Sequence, residues 1–511
     1  MQAMPTTTRR VRDAISARRT LTTATALAIG ILLSWLAPLE PLLADFHSQN
    51  QSFAAEDPPG PSSAKGRDPA LEESIDAAVA AQMKIQKVPG AALAIIRKGE
   101  VALVKGYGEA NVEHHVPVTP DTIFQSGSIG KQFTAAAIMT LVDDGKISLD
   151  DSVVKFYPDV AKWWYPVTIR HLLTHTSGMD NFEPGIQIDY RKDYTDADFA
   201  KLAFALTPQF APGSRWNYSN PGYILLGCII DKVTGHHYGE LLRDRVFKPL
   251  GMKTARIISE TDIIPHRAEG YQLVKGELKN QDWNSPSVNS TADGALYLTV
   301  RDMIAWDKGI RAKAVLKAES WKKVFTPVVL KSGKTYPYGF GWFIDGDRGQ
   351  LRQHHGGAWQ GFKAYISRYL GDDFTVILLT NLANTEPDVF TDAIAAVINP
   401  KLALPNLPLG DQEPAIAKRV RALLAEARAG TLTAADFVLL PAGYFPTLAT
   451  LHEQLLAPLG EPKSLQLVER HDRGDDRWYR WHAAFKGKTL EVTLSLAPND
   501  KLSWFYVKPI N

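Results

Sequence analysis

Phe124-Gln125-Ser126-Gly127-Ser128-Ile129-Gly130-Lys131-Gln132-Phe133 joins two small residues, Ser126 and Gly127, to an apolar stretch that continues through Val142. Ile129, Phe133, Ala136, Ala137 and Met139 recur in a helix-compatible pattern, and Asp143-Asp144-Gly145 ends the run, which predicts a helix over residues 128–142. Ser128 then stands at the helix start, with Lys131 one turn on and on the same face. Free N–H groups and the macrodipole at a helix N-terminus favour an alkoxide and a forming oxyanion. A lysine on an apolar helix is partly desolvated, which lowers its pKa and lets the neutral amine accept the serine proton. The stretch therefore predicts a serine hydrolase that forms an acyl-enzyme on Ser128.

Spacing alone does not single out this pair, because Ser-x-x-Lys arises readily by chance. The chain holds four such pairs: Ser62/Lys65, Ser128/Lys131, Ser152/Lys155 and Ser320/Lys323. Ser62 falls in a Pro/Gly/Ser-rich linker. Ser152 follows Asp150-Asp151 and reads as a helix cap. Ser320 sits with Trp321, Lys322 and Lys323 on a polar helix and is expected on a solvated face. Only Ser128 combines small neighbours with an apolar helix.

The segments around it arrange themselves as a hairpin, then many helices, then strands. Residues 71–86 read as an amphipathic helix, and residues 91–97 and 101–107 as a hairpin around Lys98-Gly99-Glu100. Residues 167–173, 223–233 and 238–247 read as helices, and 351–355, 362–369 and 374–379 as strands. That order predicts an α+β fold: an antiparallel sheet whose first and last strands are neighbours, flanked by helices. Four prolines in residues 399–414 mark a boundary. Beyond it, residues 415–429 are an amphipathic helix, and 478–485, 490–496 and 502–507 are strands. Leu490, Val492, Leu494 and Leu496 alternate with polar residues, the mark of a sheet with one wet face. Residues 415–511 are thus expected to form a small α+β domain, in which Trp478, Tyr479 and Trp481 are either sheet core or a binding face for a glycan or partner.

The chain of 511 residues is 45% hydrophobic and 22% charged, a globular balance, and its net charge of +2 gives no reason to expect a nucleic-acid partner. Its one cysteine, Cys228, excludes an intramolecular disulfide and lies in an apolar run, where a buried small hydrophobe is expected. Arg9, Arg10, Arg12, Arg18 and Arg19 precede an uncharged segment, residues 20–39, which is about as long as a bilayer span requires. Residues 1–45 are read as an export signal or a membrane anchor, with cleavage left open. The rest of the chain is expected across the inner membrane, periplasmic or secreted, and tethered if the segment stays. Residues 46–70 and 401–414 read as linkers around a hydrolase domain at 71–400.

The first motif resembles that of the β-lactamase-related serine hydrolases, which include penicillin-binding proteins, class C β-lactamases, esterases and D-amino-acid peptidases. The resemblance covers roughly residues 75–400 and implies a β-lactamase/transpeptidase-like antiparallel sheet with an all-helical subdomain. It implies that Tyr218-Ser219-Asn220 is the second motif. Tyr218 would share the proton with Lys131 and pass it to the leaving group, its phenol pKa lowered by the neighbouring cation. Asn220 would orient Lys131 and the substrate carbonyl. His355-Gly356-Gly357 is the implied third motif. There His355 would hydrogen-bond near Tyr218 or the substrate, and Gly357 would let substrate approach the strand. Ala358 N–H would form the oxyanion hole with Ser128 N–H. His354 competes for register, since adjacent strand residues face opposite sides, and His355 is favoured. His237-Tyr238-Gly239 fits the same triplet but opens a helix. Two further stretches match the family, residues 168–179 (TIRHLLTHTSGM) and 338–342 (YGFGW), and are assigned structural roles.

His355 stands where many β-lactamases have a lysine that holds a substrate carboxylate. A mostly neutral histidine turns the expectation from β-lactams towards esters, amides or D-amino-acid peptides, with β-lactamase as an alternative. A second alternative is a membrane-tethered sensor or binding protein acylated without turnover. The pairs His114-His115, His236-His237 and His354-His355 lack the spacing of a zinc site, and no metal or other cofactor is expected. The expected partner is a small-molecule or peptide substrate.

Overall fold

The computed structural model describes residues 68–182, 187–347, 349–403, 409, 413–439 and 444–510. The export segment, the Ser62/Lys65 pair and most of both linkers lie outside the described residues. The main sheet contains β1 (Gly90–Arg97), β2 (Glu100–Asn111), β3 (Val116–Pro117), β4 (Phe343–Asp347), β5 (Gln350–Trp359), β6 (Phe362–Tyr369) and β7 (Phe374–Thr380). Their order is β4-β5-β6-β7-β1-β2-β3. β1 pairs antiparallel with β7 from Ala91↔Thr380 to Arg97↔Phe374, so the first and last long strands are neighbours, as the element order predicts. The β1–β2 hairpin turns through Lys98 and Gly99 at φ 51° and 79°, the left-handed pair that a two-residue turn demands.

Helices α1 (Pro69–Gln86), α2 (Gly130–Asp143), α3 (Ile169–Leu173), α4 (Asp196–Ala205), α5 (Asn220–Thr234), α6 (Val300–Arg311) and α7 (Pro387–Ile398) cover the sheet or form the helical body. β1 is buried on both faces, which is why it reads as an unbroken apolar run rather than an alternation. Ala91, Leu93 and Ile95 pack with Ile75 and Val79 of α1 and Phe390 and Ile394 of α7. Ala92, Ala94 and Ile96 face the other way, into a core shared with Phe133 of α2 and Trp306 of α6. The helix predicted at 128–142 starts two residues late, because Gly127 at φ 52° leaves helical space and residues 127–129 form a 3₁₀ turn. A three-stranded sheet of Phe124–Gln125, Leu296–Leu298 and Arg256–Ile257 sets that turn beside the chain around residue 294.

The C-terminal α+β domain has its own core. It comprises α8 (Pro414–Arg428), α9 (Tyr444–Leu456) and β8 (Ser464–Arg473), β9 (Asp476–Ala484), β10 (Thr489–Leu496) and β11 (Leu502–Pro509), paired in sequence order. Tyr479, Trp481, Leu490, Val492 and Leu494 pack with Val420 and Leu424 of α8. Trp478 lies on the opposite face, with the Arg473 guanidinium 4.4 Å from its ring and His471 stacked on it. Two of the three aromatics are therefore core and one belongs to the polar face. That face turns towards the main sheet: Arg215 pairs with Asp476 at 2.9 Å and Lys508 with Asp388 at 2.6 Å. Between them lies a cavity of about 740 Å³ lined by Asp345, Arg352, His354, Trp478 and Arg480 among others.

One fully buried carboxylate ties α6 to the sheet. Asp307 accepts from Arg311 Nε at 2.6 Å, Arg368 Nε at 2.7 Å and Thr375 Oγ1 at 3.1 Å. Removing one member of a buried ion pair strands the other charge, at a cost of about 3–5 kcal/mol. Asp307→Ala is expected to lower unfolding stability by that amount, read from the denaturant midpoint at unchanged slope. A shift under 1 kcal/mol would show that solvent already compensates Arg368.

Candidate active site

Three backbone segments meet at Ser128 with almost no side chain between them. β5 outruns its neighbour, since Phe343 of β4 pairs with His354 and nothing in β4 pairs beyond it. Residues 355–359 of β5 thus keep one edge clear of β4, and the 127–129 turn abuts the strand there. A Cβ on Gly127 would collide with Ala358 N, one on Gly357 with the Ser126 carbonyl oxygen, and one on Gly294 with the Gly127 carbonyl. Ser126 is fully buried and donates its hydroxyl to Gly294 O at 2.9 Å, joining the first and third segments. Within this turn Ser128 alone is partly open to solvent. A cavity of about 60 Å³ opens there, bordered by Ser128, Asn220, Asp293, Ala358 and Trp359.

Lys131 has 0% of its surface exposed. Its Nζ lies 3.1 Å from Ser128 Oγ, 2.7 Å from Asn220 Oδ1 and 2.6 Å from the Asp293 carbonyl oxygen. The last two can only accept, so they always take two N–H bonds. The third tetrahedral position points at Ser128, as an N–H in the ammonium and as the lone pair in the amine. Burial pulls the Lys131 pKa down to about 8, against an opposing pull from the Asp293 charge.

Tyr218 departs from the expectation of a cation-depressed phenol. Burial drives its pKa well above the ordinary value, outweighing a hydrogen bond with Ser128. Lys131 Nζ sits over the ring face, 4.9 Å from its centroid, in a cation–π position rather than beside the hydroxyl. Tyr218 is therefore a neutral phenol at every working pH.

His355 does not reach Tyr218 or an open space with a free nitrogen. Ser219 N–H donates to His175 Nδ1 at 3.1 Å, so His175 carries its hydrogen on Nε2. That N–H donates to Tyr338 Oη at 3.2 Å, and Tyr338 O–H donates to His355 Nε2 at 3.1 Å. His355 Nδ1–H ends the chain on Gly356 O at 2.6 Å. Both nitrogens of His355 are occupied, and burial pushes its pKa down to about 3. His354 faces the other side of the strand, bonded to Asp345 at 3.1 Å and Tyr365 at 2.8 Å.

The structure thus gathers Ser128, Lys131, Tyr218, Asn220, Gly357 and Ala358 at one point, with His355 just behind them. It also brings in residues that sequence reasoning passed over. His175 and Tyr338 belong to the two stretches treated as structural, and together they fix the ring of His355. Asn181 accepts from Asn220 N–H at 2.8 Å and donates to Tyr218 O at 2.7 Å, clamping the second motif. Asp293 had no sequence signal. Of the competing pairs, Ser152 caps a 3₁₀ turn by accepting from Val154 N–H. Ser320 is buried, not solvated as expected, because its hydroxyl donates to Asp143 at 2.6 Å.

Tyr338→Phe would leave a nitrogen unpaired on both His175 and His355, at about 1–3 kcal/mol each. The expected outcome is a lower unfolding midpoint together with a lower kcat at little changed KM. A variant that loses stability and keeps kcat would show that the His355 orientation does not matter to turnover.

The Beta-lactamase family model matches residues 75–398. Penicillin-binding protein 4* of Bacillus subtilis (strain 168) is 29% identical over 300 residues, 55% of this chain and 66% of that protein. A D-aminopeptidase of Gluconobacter oxydans (strain 621H) is 28% identical over 331 residues, 63% of this chain and 62% of that protein. The chain spans less than two thirds of the length of either relative. D-amino acid amidase from Ochrobactrum anthropi SV3, solved with L-phenylalanine amide, is similar at TM-score 0.57 and 25% identity, over 65% of this chain and 99% of that one. The octameric penicillin-binding protein homologue from Pyrococcus abyssi gives TM-score 0.56 at 25% identity, over 86% of this chain and all of that one. With well over half its length matched by the family model and its three motifs drawn together in space, the chain belongs to the Beta-lactamase family.

Proposed function

We propose that this chain is a serine hydrolase that acylates Ser128 and cleaves ester or amide bonds, in the manner of a carboxylesterase or D-amino-acid peptidase. The observation that carries the reading is the buried Lys131 amine aimed at Ser128 Oγ from 3.1 Å. At a pKa near 8 about one Lys131 in ten is neutral at pH 7, against about one in three thousand at its ordinary value. The amine takes the serine proton as Oγ attacks the substrate carbonyl. The N–H groups of Ser128 and Ala358 hold the oxyanion. As the tetrahedral intermediate collapses, the phenol of Tyr218 gives its proton to the leaving group, and the Lys131 ammonium restores it by way of Ser128 Oγ, which both groups face. The net result is transfer of the serine proton to the leaving group. Water then repeats the sequence on the acyl-enzyme.

Two observations support esters and amides over β-lactams. His355 is neutral with both nitrogens engaged, so it offers no fixed cation to a β-lactam carboxylate. The names of the relatives, a D-aminopeptidase and a D-amino acid amidase, point to amide bonds next to D-residues. Export belongs to the same reading, since residues 20–39 follow five arginines without a charge of their own. Cell fractionation with and without residues 1–45 tests that part.

The full chain is to be assayed on p-nitrophenyl acetate, D-alaninamide and nitrocefin. Ser128→Ala is expected to reduce turnover by about 10⁴-fold or more. An equally active Ser128→Ala would remove Ser128 from the mechanism, and a single labelling event without turnover would mean a sensor or binding protein. Because the base must be neutral, kcat/KM for the ester should rise with pH and level off above about 8. A profile flat from pH 6 to 9 would exclude Lys131 as the base.

A further inference from the structure

Tyr218 stands near the end of a stretch, residues 213–219, that forms neither helix nor strand. No ladder of its own fixes such a stretch, so its place depends on what grips it from outside. One grip comes from nearby in the same domain. Asn181 donates to Tyr218 O at 2.7 Å, and Asn217 N–H donates to the His175 carbonyl at 2.9 Å. The other comes from the C-terminal domain, through the turn that joins β8 to β9.

That turn, Gly474-Asp475, presses on a small hairpin in which residues 328–329 pair with 335–336. Gly474 takes φ 60°, its N–H donates to Thr335 O at 2.9 Å, and a Cβ there would crowd the Leu330 side chain. Asp476, the first residue of β9, accepts from Arg215 Nη2 through both oxygens, at 2.9 and 3.1 Å. Only 24% and 15% of the two side chains is exposed, so the pair is largely shielded from water and salt. Arg215 lies three residues before Tyr218. Next to it, Trp216 stacks on Tyr336, with 4.2 Å between ring centroids and 10° between planes. Thr335 and Tyr336 thus carry the contact of the same turn to the same stretch by a second route. The C-terminal domain has another foothold across the interdomain cavity, where Lys508 pairs with Asp388 and Tyr506 O–H donates to Glu386 at 3.0 Å.

Resting on the reading of Tyr218 as proton donor to the leaving group, we propose that the C-terminal domain positions that tyrosine, with Asp476 as the positioning residue and Arg215 as the arm it holds. Asp476 does not border the space at Ser128. It sets the place of the Arg215–Tyr218 stretch, and with it the distance the phenol proton must travel. A misplacement of about 1 Å can cost about a hundredfold in rate even when it originates far from the chemistry.

Two esters with one acyl group and different leaving groups separate this role from a structural one. Nitrophenolate leaves as a stable anion and asks little of a proton donor, whereas ethoxide must be protonated as it departs. The full chain is assayed on p-nitrophenyl acetate and ethyl acetate, and kcat/KM is read for each, since it reports acylation. Asp476→Ala is expected to lower ethyl acetate hydrolysis by at least about tenfold more than p-nitrophenyl acetate hydrolysis. Asp476→Glu should recover part of the difference. Arg215→Ala should give the same imbalance, and the double variant Arg215→Ala/Asp476→Ala no more than either alone, because the two act as one unit. Both esters are read on one preparation, so unfolded protein cancels from the ratio. An unchanged ratio in Asp476→Ala, or additive losses in the double variant, overturns the inference. Where Ser128→Ala abolishes both hydrolyses, such a result leaves the acyl-enzyme reading standing. A Ser128→Ala as active as wild type, or a wild type inactive on both esters, ends that reading and this inference with it.

Discussion

Everything in the site depends on how the Lys131 amine is tied. Its three hydrogen-bond directions end on oxygens from three separate segments: the 127–129 turn, the start of α5 and the loop at 293. Two of those oxygens are pure acceptors, so the direction left over is determined by chemistry rather than by chance. Burial then does the rest. An exposed lysine would keep its proton and point it at Ser128, with no lone pair free to take the hydroxyl's proton. Taken out of water, the same group gives up the proton near pH 8 and presents a lone pair instead.

Such burial requires that the surrounding backbone close in, and glycine is what permits it. At 127, 294 and 357 a methyl group would strike main-chain atoms of a neighbouring segment. Ser128 therefore rests on contacts between backbones, which are stiffer than contacts between side chains. The sheet serves the same end. β5 sits second from the edge, and β4 is too short to cover all of it, so one stretch of strand keeps an open edge beside the helix N-terminus.

Local chemistry was legible in the sequence, and relations between distant segments were not. The Ser128–Lys131 pair could be separated from three competitors because helix pattern and neighbouring residues are local facts. The adjacency of β1 and β7 followed from element order. Ser320 was misplaced because a seven-residue helix carries too little pattern to say which side meets Asp143. β8 went unread since its second half is polar, with Glu469, His471 and Arg473 lining the interdomain cavity, and breaks the apolar alternation. The state of Tyr218 depends on where the cation sits relative to the ring, and the roles of His175 and Tyr338 depend on contacts across more than 160 residues. Spacing along one motif reports none of these.

The chain of bonds from Ser219 through His175, Tyr338 and His355 to Gly356 has only one direction. It begins at a main-chain N–H, which can only give, and ends at a carbonyl, which can only receive. Reversing any one link would set two hydrogens against each other or leave two lone pairs facing, so no link reverses alone. The hydrogens of this chain are thus frozen assets of the fold rather than participants in exchange. Those of Ser128, Lys131 and Tyr218 are left as the movable ones, so a proton transfer that starts at Ser128 is fenced off from the histidines behind it.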